Sequence, residues 1–150
     1  MEEMGLDYEL VKLPFPPRLL APDYLETNPL GTVPYFEHGE VQMTESVAIC
    51  HYLVARYADA ALDVPSGHPD YAAYLNWLYH ADATLTFPQT IVMRYSLLEP
   101  PERQLPQAVE DYGRWFSARL RKLNQHLESH DYLCAGRFTI ADIAIAYALF

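Results

Sequence analysis

Two short pieces of this chain carry residue types suited to chemistry: the pair Glu45-Ser46 and the dipeptide Val33-Pro34. Glu45-Ser46 leads into Val47, Ile49, Tyr52 and Leu53, which recur at helical spacing. A helix that starts here turns unpaired backbone N–H groups and the positive end of its dipole toward a small ligand. Pro34 opens the apolar run Tyr35-Phe36 and has no N–H to give to a ladder, so the backbone around it is left for another partner. A rival reading makes Glu45 and Ser46 a plain helix cap, because their oxygens can satisfy the same first-turn donors.

Other candidates carry less. Tyr71, Leu75, Leu78, Asp82 and Leu85 fall at steps of four and three on one helix, and Asp82 interrupts their apolar stripe. It either lines a cleft or subunit interface, or is a solvent-facing break in an imperfect pattern. Tyr79, Phe87, Met93, Arg94 and Tyr95 share that long helix and are candidates for an acceptor pocket, although helical aromatics are more often core. The histidines at 38, 51, 68, 80, 126 and 130 are scattered, without a cysteine at ligand spacing, so no metal site is expected. Cys50 and Cys134 lie in apolar surroundings and read as two reduced core thiols.

The elements that position these residues can be read in order. Met1 to Gly5 resembles a last helical turn closed by glycine, and Asp7 to Leu13 a mostly apolar strand. Pro14, Pro16 and Pro17 enforce an extended loop, with a short helix near Asp23–Thr27. Asn28-Pro29 and Gly31 break the chain, His38-Gly39 makes a hairpin turn, and Val41 and Met43 alternate on the return strand. Pro65, Gly67 and Pro69 make Asp59–Pro69 a linker. Beyond it everything reads as helix. One helix starts near Tyr71, is kinked or broken at Pro88, and ends at Glu99-Pro100-Pro101. A second runs from Leu105 to Ser129 with Val109, Tyr112, Phe116, Leu120, Leu123 and Leu127 on one side. After Gly136, Thr139-Ile140-Ala141-Asp142 has the spacing of a capping box, flanked by Phe138 and Ile143 as a hydrophobic staple.

Asn28-Pro29, Gly31, Val33-Pro34, Glu45-Ser46 and Tyr52-Leu53, in this order and spacing, resemble the glutathione-binding half of the cytosolic glutathione transferases. The string YLCAGRFTIADIAIAYAL resembles the buried capped helix of their C-terminal domain. The resemblance implies an α/β thioredoxin-like domain over residues 1–60, incomplete, and an all-α helical domain over 68–150, also partial. It implies a fragment lacking the first strand and the last helices, and with that strand the Tyr, Ser or Cys that activates the thiol. The catalytic residue is therefore unassigned. A cis Val33–Pro34 bond would let the Val33 N–H and C=O pair with the cysteinyl backbone of glutathione. Glu45 would take the γ-glutamyl ammonium, and the Ser46 hydroxyl and N–H its carboxylate. Thr139 and Asp142 would be structural. Thr32 stands where the family often has a basic residue. The implied activity is transfer of the glutathione thiolate to a small hydrophobic electrophile by a cytoplasmic homodimer, with glutathione as co-substrate and no metal. The alternative is a non-catalytic glutathione-transferase-like interaction module, as in elongation factor gamma subunits. A Ser, Tyr or Cys on an upstream strand-loop would decide between them.

Composition narrows the partners. Of the 150 residues 51% are apolar, enough for a globular chain. Twenty acids against 10 bases give a net charge of −10, and no basic stripe occurs, so neither nucleic acid nor an anionic membrane is expected to bind. No apolar run approaches a membrane span.

Overall fold

A hairpin docked on one helix anchors the N-terminal part of the chain. In the computed structural model, which describes residues 1–57 and 61–150, the chain divides into two units, residues 1–59 and 60–150. Asp59 and Ala60, where the linker was expected to begin and the first domain to end, lie outside the described residues.

In the first unit, a single 3-10 turn over Glu2–Met4 closes on Gly5, whose φ is 60° and whose N–H donates to the Glu2 carbonyl at 2.9 Å. The strand expected over Asp7–Leu13 does not form. Leu10 and Val11 are 63% and 72% exposed. Alternation makes a strand only where a neighbour takes its backbone groups, and the described sheet consists of two other strands paired with each other. Two short helices follow, α1 (Pro17–Leu20) and α2 (Tyr24–Thr27). Then β1 (Phe36–His38) pairs antiparallel with β2 (Val41–Met43), Phe36 opposite Met43 and His38 opposite Val41. Gly39 makes the turn at φ 59°. Helix α3 (Ser46–Arg56) buries Ile49, Leu53 and Val54, one stripe at steps of four and one. The His38 ring fastens the hairpin to it: its Nδ1 lies 2.9 Å from the Tyr52 hydroxyl and its Nε2 3.4 Å from that of Tyr57. The Phe36 ring meets Tyr52 edge-on at 6.1 Å. The Val33–Pro34 bond is cis, as the resemblance implies, and so is Phe15–Pro16, which the run of prolines did not signal.

The second unit is helical. Helix α4 (Tyr71–Tyr79) continues through π-helical turns at His80–Thr86 into α5 (Phe87–Met93), and further π turns carry it to Leu98. Pro88 neither breaks nor ends the helix. The wide turns stop where the proline's first turn begins, and they absorb the hydrogen bond it cannot donate. The Thr86 hydroxyl donates to the Ala81 carbonyl at 2.9 Å within those turns. The buried stripe is Tyr74, Trp77, Leu78, Ala81 and Leu85. It lies beside the expected one because the two largest rings, Tyr74 and Trp77, take the interior. Asp82 is left half-buried at its edge.

Helix α6 (Pro106–Leu127) packs on α5 along the expected side, with Leu123 buried, but Leu127 is exposed. Phe87, Tyr112 and Trp115 meet between the two helices at centroid distances of 5.1–6.1 Å. Helix α7 (Ile140–Tyr147) buries Ile140, Ala141, Ala144 and Ile145. The described part of the expected linker is bound into this unit. Leu62 and Val64 are buried, and the Leu62 carbonyl accepts the Ile140 N–H at 3.0 Å. Arg137 donates to the carbonyls of Ala61 and Asp63, and the Tyr74 hydroxyl donates to the Asp63 carboxylate at 2.9 Å. The proline and glycine signals there mark turns in an ordered segment.

Candidate functional site

The turn that delivers Val33-Pro34 is built on a buried amide. Asn28 is 2% exposed, and its Oδ1 accepts the Leu30 N–H at 3.1 Å, closing a side-chain-mediated turn. Its Nδ2 donates to the Thr32 carbonyl at 2.9 Å, and the Tyr24 hydroxyl donates to the same carbonyl at 2.6 Å. Gly31 has φ 61°, and a Cβ there would stand 2.6 Å from Cβ of Arg18. Only glycine meets both the conformation and the space. The chain leaves this turn with Val33 44% exposed, and among the described residues no backbone hydrogen bond reaches Val33.

The hairpin then brings the two candidate pieces to one place. Phe36 faces Met43, so Pro34, two residues before β1, and Glu45, two after β2, both lie at the open end of the hairpin. Glu45 holds the N-cap backbone position at φ −93° and ψ 113°, and its carbonyl accepts the Ile49 N–H at 2.9 Å. Its side chain makes no capping hydrogen bond; the exposed carboxylate instead accepts the Thr44 hydroxyl at 3.1 Å. The N–H groups of Ser46, Val47 and Ala48 precede the first donor of the α3 ladder, and the Ser46 side chain is half-buried among them. The arrangement offers one carboxylate, one hydroxyl, three helix N–H groups and, at Val33, a backbone that no backbone hydrogen bond reaches among the described residues. This chemistry suits a zwitterionic peptide.

Thr139 and Asp142 stand in the second unit and form the capping box. The Asp142 Oδ2 accepts the Thr139 N–H at 2.8 Å and its hydroxyl at 3.0 Å, while the Thr139 Oγ1 accepts the Ala141 N–H at 3.2 Å. The other oxygen, Oδ1, accepts the Leu133 N–H at 3.0 Å. Asp70, at the start of α4, accepts the Ala135 N–H at 2.9 Å. Two carboxylates from two helices thus hold one loop. That loop borders a half-open cavity of about 340 Å³ with Asp70, His126, His130 and Cys134 in its wall, remote in sequence from the Val33 and Glu45 pieces.

The remaining candidates disperse. Tyr79 is exposed, Phe87 packs on Tyr112 and Trp115, and the Arg94 Nε donates to Glu99 at 2.9 Å. His126 and His130 stand four apart, an H-x-x-x-H spacing that contradicts the reading of all six histidines as scattered, and their rings stack at 4.3 Å. Each ring nitrogen that touches a carbonyl, His126 Nε2 to Tyr132 and His130 Nδ1 to His126, is committed to the protein. Among the described residues no group of three or more His, Cys, Asp or Glu is placed to hold a metal ion. Burial pushes the thiols of Cys50 and Cys134 up, which disfavours the thiolate, so neither is poised as a nucleophile.

His80 makes a pH dependence. Its Nε2 is buried without a hydrogen-bond partner among the described residues, and its ring meets Trp77 edge-on at 5.4 Å. Burial, and then Lys122 and Arg119 on α6, lower its pKa from the ordinary 6.5. The folded protein therefore keeps the ring neutral while the unfolded chain protonates first. Stability from this site is complete above 6.5 and declines as the pH falls below 6.5 toward the lowered value. Between neutrality and pH about 5, the melting temperature of the wild type should fall more than that of His80→Gln. Parallel curves would show that His80 carries none of the dependence.

Comparisons with known proteins bear on the family and the fold. Residues 1–61 match the family model for the glutathione S-transferase N-terminal domain. Glutathione S-transferase 3 of Zea mays is 29% identical over 149 residues, covering 95% of this chain and 65% of the maize protein. Elongation factor 1-gamma of Prunus avium is 33% identical over 130 residues, covering 87% of this chain and 30% of that protein. The crystal structure of the glutathione transferase URE2P6 from Phanerochaete chrysosporium, in complex with oxidized glutathione, superposes with a TM-score of 0.80 at 31% identity. The match covers 96% of this chain and 67% of that one. The chain thus spans roughly two thirds of the maize and fungal proteins and less than a third of the elongation factor subunit. No helix among the described residues is long and apolar enough to cross a membrane.

Proposed function

The chain belongs to the glutathione transferase family, with its thioredoxin-like and helical architecture, and on that premise we propose that it binds glutathione at the open end of the hairpin. The first unit is then the glutathione-binding domain and the second, which takes in the expected linker from Ala61 onward, the helical one. The cysteinyl backbone of the tripeptide pairs with the Val33 N–H and C=O as an added strand beside Pro34. The Glu45 carboxylate takes the γ-glutamyl ammonium, and the Ser46 hydroxyl and N–H take the neighbouring carboxylate. In the whole protein, a cytoplasmic homodimer, the bound thiol loses its proton. The sulfur then attacks a hydrophobic electrophile, whose leaving group departs with its electron pair. The group that lowers the thiol pKa is unassigned, and the two cysteines described above do not supply it. One observation carries this reading. The hairpin register brings the exposed residue Val33, whose backbone has no backbone hydrogen bond among the described residues, to the same end as a Glu45 carboxylate that makes no capping bond.

Retention on immobilised glutathione, with elution by free glutathione, tests the binding. Turnover of 1-chloro-2,4-dinitrobenzene by the whole protein tests the chemistry. Specific retention with turnover is expected. Failure of retention would overturn the binding site. Retention without turnover would favour the second reading, a non-catalytic glutathione-transferase-like module, which the 33% identity to an elongation factor subunit supports.

A further inference from the structure

We propose that Tyr24 and Asn28 are positioning residues that aim the Val33 N–H at the ligand, an inference that rests on the glutathione reading above. The Thr32 carbonyl accepts two donors, the Tyr24 hydroxyl at 2.6 Å and the Asn28 Nδ2 at 2.9 Å. Both lone pairs of that oxygen are then engaged, and the peptide plane from Thr32 to Val33 cannot rotate without losing one of them. The Thr32–Val33 bond is trans, since the cis bonds are Phe15–Pro16 and Val33–Pro34. Across a trans peptide the C=O and the N–H point in opposite directions. Holding the carbonyl on the side of the buried Asn28 therefore turns the Val33 N–H away from Asn28, at a residue that is 44% exposed.

The rest of the turn has no slack to undo this orientation. Asn28 is fixed by the Leu30 N–H at its Oδ1, and its own carbonyl accepts the Gly31 N–H at 2.8 Å. Gly31 packs close to Arg18, where a single added carbon would already stand at 2.6 Å. Donor direction decides the strength of a hydrogen bond, which weakens steeply as it bends. A Val33 N–H aimed before the ligand arrives spares the complex the cost of ordering it. Tyr24 thus acts through the Thr32 carbonyl on the geometry of Val33.

Hydrogen exchange at the Val33 amide, followed by NMR on the wild type with and without glutathione, tests the claim without a variant. Tyr24→Phe, which removes one donor and keeps the ring, is titrated beside it. Slower exchange at Val33 on binding is expected. Tyr24→Phe is expected to bind about 3- to 10-fold more weakly, because the Val33 N–H must then be ordered on binding, beside a melt lowered slightly by the lost hydrogen bond. A merely structural tyrosine would shift the melt and leave the affinity of the folded protein alone. Wild-type binding with unchanged Val33 exchange overturns both the positioning role and the Val33 contact proposed for glutathione, whereas Tyr24→Phe at wild-type affinity overturns the positioning role alone. Absence of wild-type binding overturns both.

Discussion

Asp142→Ala is expected to lower the melting temperature of the protein by about 4–16 °C while leaving glutathione affinity within about twofold. The carboxylate accepts three hydrogen bonds, from the Thr139 N–H, the Thr139 hydroxyl and the Leu133 N–H, and Thr139 is fully buried. Alanine strands two backbone donors in the interior, each costing about 1–3 kcal/mol. A loss of about 2–4 kcal/mol takes much of a domain's usual margin of about 5–15 kcal/mol. Asp142→Asn should fall between, because one amide oxygen cannot serve both donor groups and the amide nitrogen would face an N–H. Thermal melts beside glutathione titrations separate stability from binding. An unshifted melt with lost affinity would place Asp142 in the ligand site and contradict the structural role.

What the sequence reveals and what it hides follow from the range of each interaction. The capping box is legible because Thr139 and Asp142 are three residues apart and helical geometry alone brings them together. Its further reach is not legible: the Leu133 N–H lies nine residues upstream, and the Ala135 N–H is held by Asp70 across 65 residues. Val33-Pro34 and Glu45-Ser46 are legible as residue types, and the hairpin turn at Gly39 predicts that they converge. The clamp of Tyr24 and Asn28 on Thr32 is not, because a hydroxyl on a carbonyl eight residues away leaves no periodic trace. Asp7–Leu13 reads as a strand from its alternation, yet pairing is a tertiary property and no strand lies beside it among the described residues. Pro88 reads as a break because an α-helix cannot absorb it; π turns can. Residues 61–64 read as linker from the punctuation around them, whereas Leu62 and Val64 answer to the interior that α7 provides.

The larger effect on function is expected at Glu45 and Ser46. Each should make a charge-assisted hydrogen bond to the γ-glutamyl end, worth about 1.5–3 kcal/mol, so alanine at either should weaken glutathione binding by roughly 10- to 100-fold. Both contacts hold one small group of the ligand, so the double variant should lose less than the sum. The Glu45 side chain makes no capping hydrogen bond to α3, so its removal should leave the melting temperature nearly unchanged. Calorimetric titration of glutathione into the wild type, Glu45→Ala and Ser46→Ala, each beside a thermal melt, is the most direct test. Micromolar-to-millimolar binding by the wild type, weakened at least about tenfold in each folded variant, is the predicted result. Affinity held within about twofold while the melt drops would make the pair structural and contradict the placement of glutathione at this end of the hairpin.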